Sequence, residues 1–264
     1  MDFTIKTYSI LLKRLIASGY NFQTFVDYRS NSKEKVIILR HDVDLLPQNS
    51  LRFAKIQSEL GIKGTYYFRS VPESWDEAII KEIADLGHEV GYHYENMDTC
   101  NGDVDKAWND FRYHLTKLRD LVEVKTICMH GSPRSKFDNK EIWSKYDYRT
   151  LQIIGEPYYD VNFDEVFYLT DTGRRWDGWK TSVRDKVSQQ DQWVKQGLEF
   201  HSTQDIIDTI NTGKTPSGVD VPSKIMFTMH PQRWTEGGMP WLKELVLQNL
   251  KNQVKKVMIA NNSK

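Results

Sequence analysis

The sequence predicts a mainly parallel α/β fold, either a (β/α) barrel or an open doubly wound sheet. Three observations lead there. Runs rich in strand formers alternate with amphipathic helical segments along the chain. The first strand candidate, Val36-Ile37-Ile38-Leu39, is continuously apolar, as a strand buried on both faces is. The 264 residues, 39% hydrophobic and 27% charged, are enough for one core without disulfides, so a single domain over 1–264 is expected. No G-x-G-x-x-G or Walker-type loop follows a strand candidate, which weighs against a nucleotide-binding open sheet.

Each element follows from its pattern. Tyr8, Leu11, Leu12, Leu15 and Ile16 share one face, giving a helix from Tyr8 to Ser18 that Gly19 stops. After the strand at Val36, a helix opens near Pro47 with Phe53, Ile56 and Leu60 inward. Thr65-Tyr66-Tyr67-Phe68 is rich in strand formers. Ile79, Ile83 and Leu86 mark the next helix, closed by Gly87, and Glu89 to His93 reads as a short strand. Val104, Trp108, Phe111, Leu115, Leu118 and Val122 line a long helix, and Thr126 to Met129 is a strand. Between Phe137 and Phe200 the periodicity is weak, with one strand expected at Val166 to Leu169. Ser202 caps a helix carrying Ile206, Ile207 and Ile210. Lys224 to Met229 is the last strand, and Leu242, Val246, Leu250, Val254 and Val257 give the last helix.

Charge narrows the partners. Lys+Arg and Asp+Glu both number 36, so no basic excess points to nucleic acid or to an anionic membrane, and neither partner is expected. Two cysteines, Cys100 and Cys128, are too few for a disulfide scaffold and suit a reducing compartment. No apolar run reaches the ~18 residues of a membrane span. The Met1-Asp2-Phe3 start lacks a basic lead, and Lys13-Arg14 break the nearest apolar run, so a cytoplasmic location is expected.

Chemistry-bearing residues collect where strands end. The strand candidates run into Arg40-His41-Asp42-Val43-Asp44, into His93-Tyr94-Glu95, into His130-Gly131-Ser132-Pro133 and into His230-Pro231. In parallel α/β folds that end holds the ligand. Asp42 and Asp44 are two apart and share one face, where two carboxylates repel unless a cation or proton lies between them. His41 takes the other face and is not expected as a ligand. His88 and His93 are five apart, on opposite faces and roughly 16 Å apart along a regular strand, so only His93 reaches the site. His114 reads as a surface residue of the long helix, and His201 as a local hydrogen-bonding residue before a helix. Carboxylate with imidazole suits one divalent ion, zinc before iron, cobalt or nickel.

These motifs resemble the polysaccharide deacetylases with a NodB-homology domain, the family-four carbohydrate esterases. The resemblance rests on His41-Asp42-Val43-Asp44, on Gly87-His88-Glu89-Val90-Gly91-Tyr92-His93 and on Thr228-Met229-His230-Pro231. It spans the chain from about Val36 to the last helix. It implies a distorted (β/α)7 barrel, with the helix at 8–18 packed on it, that removes acetyl groups from N- or O-acetylated carbohydrate with a divalent metal. By the same resemblance Asp42 is the catalytic base, Asp44 and His93 bind the metal, and His230 protonates the leaving group. Arg175-Trp176-Asp177-Gly178-Trp179 resembles the motif walling the groove: Asp177, with Arg175 or Arg134, would orient base and acid, and Trp176 and Trp179 would stack on sugar. The family's second metal histidine falls at Met97, which is expected to pack. The third ligand is then His130, or alternatively Glu95. A metal-poor, non-catalytic carbohydrate-binding barrel and a hydrolase of a small non-sugar amide are the competing functions.

Overall fold

The computed structural model describes residues 1–132, 135–178 and 187–262, with side chains to residue 254. Among the described residues seven strands form one sheet: β1 (Asn21–Gln23), β2 (Val36–Val43), β3 (Thr65–Phe68), β4 (Glu89–Tyr94), β5 (Ile127–Met129), β6 (Phe167–Thr170) and β7 (Lys224–Met229). Every pairing is parallel, in the order β5-β4-β3-β2-β7-β6. β1 lies beside the first half of β2 (Asn21 opposite Val36), and β3 takes the second half from Arg40 onward. β2 is therefore central along its whole length, and all eight of its residues are buried. The sheet curls into a half-barrel, and among the described residues β5 and β6 end the path without pairing each other. The parallel barrel-type architecture expected from the sequence is what forms. β1 was not foreseen, because Asn-Phe-Gln carries no strand pattern of its own.

Helices fill the connections. They are α1 (Ile5–Ala17), α2 (Phe25–Asn31), α3 (Pro47–Glu59), α4 (Glu77–Asp85), α5 (Asn96–Thr99), α6 (Val104–Arg119), α7 (Pro157–Asp160), α8 (Gln190–Lys195), α9 (Thr203–Thr212) and α10 (Gly238–Asn262). The weak signal after Phe137 has a structural cause. That stretch holds two 3₁₀ turns, Asn139–Ser144 and Tyr148–Leu151, and the short helices α7 and α8, all too short for a 3.6-residue period to show. Ser202 caps α9 as expected, in a reciprocal capping box with Asp205.

The period-2 alternation of the strands sorts the core. Residues facing out from β2 and β3 meet α1 and α3. His41 stacks on Tyr66 (4.1 Å between ring centroids), and its Nε2 lies 2.9 Å from the Gln57 amide and 3.3 Å from the Tyr8 hydroxyl. Tyr8 stacks on Phe53 at 3.7 Å, which seats α1 against α3. The inward residues toward the C-terminal ends of the strands are polar and form the site. At the far end α10 is inverted: Gln248 and Asn252 face the body, with Asn252 donating to the Gly173 carbonyl, and Leu242, Val246, Leu250 and Val254 face outward.

Candidate active site

Inward positions at the C-terminal ends of β2, β4, β5 and β7 deliver Asp42, Asp44, His93, His130 and His230 to one place. Gly91 makes room beneath them. The Tyr67 ring crosses the barrel there, 6.5 Å from the His93 ring, and a Cβ at 91 would collide with that ring and with the Thr126 carbonyl.

Asp44 is the centre of the cluster. Its Oδ1 is buried, accepts no hydrogen bond, and lies 3.6 Å from Nε2 of His93 and 3.6 Å from Nε2 of His130. Oδ2 accepts from the Gln232 amide at 3.1 Å and lies 3.9 Å from Nε2 of His230. Burial alone would push the Asp44 carboxyl up, but the three facing imidazoles hold it well below the ordinary carboxylate range. His93 Nδ1 sits 2.9 Å from the Cys128 carbonyl, which fixes the proton on that nitrogen and leaves Nε2 with a lone pair facing Asp44.

His130 is held from behind by Glu95, whose Oε2 is 2.9 Å from Nδ1, close but off-line for a hydrogen bond. Glu95 is in turn gripped through both oxygens by Arg69 (3.0 and 2.8 Å). Burial raises the Glu95 carboxyl, but His130 and Arg69 outweigh it and hold it at about 2. Of the two candidates for a third ligand, His130 offers its donor atom to the cluster, and Glu95 supports it. Burial lowers the His130 imidazole, but Glu95 and Asp44 more than offset this and leave it above the ordinary histidine value. A proton therefore competes for Nε2 at higher pH than at a free histidine. Metal uptake should weaken as pH falls, and Glu95→Gln should move that dependence to lower pH; an unchanged profile in a metal-uptake titration counts against the Glu95–His130 relay.

The Asp44, His93 and His130 donors all lie within 4.8 Å of one another. Around a tetrahedral ion with bonds of about 2.0–2.1 Å, donors stand roughly 3.4 Å apart, so the observed 3.6 Å separations need little movement. The orphaned Oδ1 and two imidazoles fit a divalent ion of the zinc type. Two other donor groupings fit less well. In Asp42–His93–Cys128 both Asp42 oxygens are taken by Arg40, and in Asp177–Glu199–His201 both Asp177 oxygens are taken by Arg175.

Asp42 and His230 flank the donors, each with a partner that sequence reading missed. Arg40 Nε and Nη2 donate to the two Asp42 oxygens at 2.8 and 2.7 Å in a fully buried fork. Burial raises the Asp42 carboxyl, but Arg40 outweighs it and, with His93, holds it below its usual value. His230 Nδ1 lies 2.6 Å from Oδ1 of Asp171, whose Oδ2 accepts from the His230 backbone N–H (2.9 Å) and from Trp234 Nε1 (2.7 Å). Arg233 donates to the Asp171 carbonyl at 3.0 Å and Oδ1 at 3.2 Å. The orienting residues are thus Arg40 and Asp171. Asp177 instead receives Arg175 (2.6 and 2.8 Å) and lies 3.2 Å from His201 Nδ1.

The groove motif is corrected further. Trp176 is buried, packed on Phe3, Phe227 and Trp234, and donates to Thr203 at 2.8 Å, so it is core and offers no face to a sugar. Trp176→Ala should cost about 3–5 kcal/mol of stability in a denaturant melt. Arg134 and Trp179 lie outside the described residues. Met97 is buried, as expected. His88 accepts from the Gly64 N–H (3.1 Å) and donates to the Ala54 carbonyl (2.9 Å), away from the cluster. His88→Ala should cost about 1–3 kcal/mol in stability and nothing in metal affinity; loss of metal in a calorimetric titration would contradict this placement.

A cleft of about 550 Å³ opens beside His130, bordered by Arg69, Asp98, Ser135 and Phe137. No protein-family model and no curated protein matches the chain. Among solved structures it is similar to a mutant of BA3943, described as a CE4 family pseudoenzyme (16% identity, TM-score 0.41, covering 85% of this chain and 64% of that one). It is also similar to the Xyl-CE4 domain of a multidomain xylanase from the hindgut metagenome of Trinervitermes trinervoides (13%, TM-score 0.35, 84% and 85%). A third is Bacillus subtilis PdaA, a family 4 carbohydrate esterase (14%, TM-score 0.38, 92% and 84%). The chain spans less than two thirds of the first of these.

Proposed function

We propose that the protein is a metal-dependent hydrolase that removes an acetyl group from an N- or O-acetylated carbohydrate. One observation carries this: a zinc-type donor set of Asp44, His93 and His130 with a tethered carboxylate, Asp42, and a tethered imidazole, His230, on either side. A divalent ion held by those three residues would supply a Lewis acid for the acyl carbonyl and for an attacking water. Asp42 takes the proton of that water. Arg40 aims it and, holding its carboxyl below the ordinary value, keeps it ionised throughout the neutral range. His230 gives a proton to the departing amine or alcohol. Its Nδ1 is taken up by Asp171 Oδ1 at 2.6 Å and Arg233 Nη1 at 2.9 Å, so Nε2, on the Asp44 side, is the atom that does so. With acid and base on separate residues, neither must be recharged between attack and departure.

The test is acetate release from a panel of acetylated sugars beside small acetamides, with Asp42→Asn as control. Release from a sugar that the variant lacks is the expected result. Release from the acetamides alone would overturn the carbohydrate assignment, and none from any compound with metal bound would favour a binding barrel.

A further inference from the structure

The last helix, α10, turns its polar side to the body and its apolar side to water. Gln248 and Asn252 are buried, with Gln248 donating to Asn252 at 3.1 Å and Asn252 to the Gly173 carbonyl at 2.9 Å. Arg174 donates to the Trp241 carbonyl at 2.9 Å. These bonds fix the rotation of the helix about its own axis, so the apolar row cannot turn inward without breaking them. Met239 is 75% exposed, and Leu242, Val246, Leu250 and Val254 lie between 46% and 60%, with Leu247 beside them. An apolar outer face of this length marks a surface that another body covers. We infer that α10 is the interface of a homodimer, packed antiparallel across a two-fold axis on α10 of a second copy of this chain.

The spacing singles out a second copy as the occupant. Counted from Gln248, Val246 and Leu250 lie two residues to either side and Leu242 and Val254 six; the sequence continues the pattern with Met239 and Val257, nine to either side. At about 100° per residue, these positions all fall within about 60° of the direction opposite Gln248. A two-fold axis there sets Val246 against Leu250, and Leu242 against Val254, of the second copy. That self-complementarity is what an isologous contact requires. Two polar positions in the same sector obey the same symmetry. Lys243 and Gln253 are each five residues from Gln248, so across the axis each ammonium meets a carboxamide oxygen that accepts from it. A parallel pairing would instead set Lys243 on Lys243, a like-charge contact. The area also suffices. The exposed apolar side chains from Met239 to Val254 present on the order of 600 Å² per copy, the top of the range for a monomer's largest patch. Two such faces bury about 1,200 Å² together, the lower bound of a specific interface.

Sedimentation equilibrium of the full chain tests this. The mass should approach twice that of one chain. Leu250→Asp puts a charge at the centre of the contact and should raise the dimer dissociation constant roughly 30-fold or more, with helical circular dichroism unchanged. Leu250→Ser should shift it the same way by less. Tyr113→Asp, at an exposed position of α6, should stay dimeric. Gln253→Glu, opposite Lys243, should tighten the dimer about three- to tenfold at low salt, and Gln253→Lys should weaken it. A chain that is still monomeric at about 100 µM, a dimer indifferent to both Leu250 variants, or the two Gln253 variants moving in the same direction overturns the inference. A monomer that binds anionic lipid vesicles and loses them in Leu250→Asp assigns the face to a membrane and overturns it as well.

Discussion

Asp44→Ala should empty the metal site. Wild-type protein reconstituted with zinc should carry close to one ion per chain, and the variant should fall to background, with affinity lower by roughly 100-fold or more. Loss of an outer-shell partner alone typically costs about 10–100-fold. The magnitude follows from the position of Oδ1, the one atom that faces both His93 and His130 while accepting no hydrogen bond. The fold should survive. The Asp44 backbone carbonyl still accepts from Arg69, and the side chain gives up one hydrogen bond, to Gln232, worth about 1 kcal/mol. Elemental analysis with a melting curve separates the two effects. Wild-type metal content in a folded Asp44→Ala protein would refute the donor set.

His230→Ala should lower turnover by about 10²–10⁴-fold and leave the metal in place. His230 Nε2 stands 3.9 Å from Asp44 Oδ2, but its other nitrogen is locked to Asp171, the arrangement of a proton donor beside a metal centre. Asp171→Asn separates positioning from bulk. An asparagine amide that donates to Nδ1 keeps that nitrogen unprotonated, so the imidazolium that must give up the Nε2 proton is disfavoured. The variant should lower kcat with little change in KM, and ¹⁵N shifts of the His230 ring should report the unprotonated Nδ1. If His230→Ala loses its metal while folded, His230 is a ligand and the acid lies elsewhere.

Much of the site was legible because a parallel sheet places function where strands end. Period-2 spacing separated Asp42 and Asp44 from His41, and His93 from His88, and the structure keeps both separations. The same rules contained the two partners that were missed. Arg40 is two residues from Asp42 and shares its face, and Asp171 follows β6 directly. The sequence pattern ends that strand at Leu169, whereas β6 runs to Thr170 and so carries Asp171 at its end. Trp176 shows the limit of such motifs: nothing in Arg-Trp-Asp-Gly-Trp states which side of the sheet the indole faces, and here Phe3, Phe227 and Trp234 enclose it. The outward apolar row of α10 was likewise unreadable, since periodicity defines a face without naming its neighbour.

The central claim is that one ion held by Asp44, His93 and His130 is required for deacetylation. The most direct measurement titrates zinc into chelator-stripped protein while following acetate release from the acetylated sugar found in the panel. No release is expected without metal, then a linear rise and a break at one equivalent per chain, with no rise in Asp44→Ala. Acetate release at full rate from stripped protein, or a rise equally steep in Asp44→Ala, would contradict it.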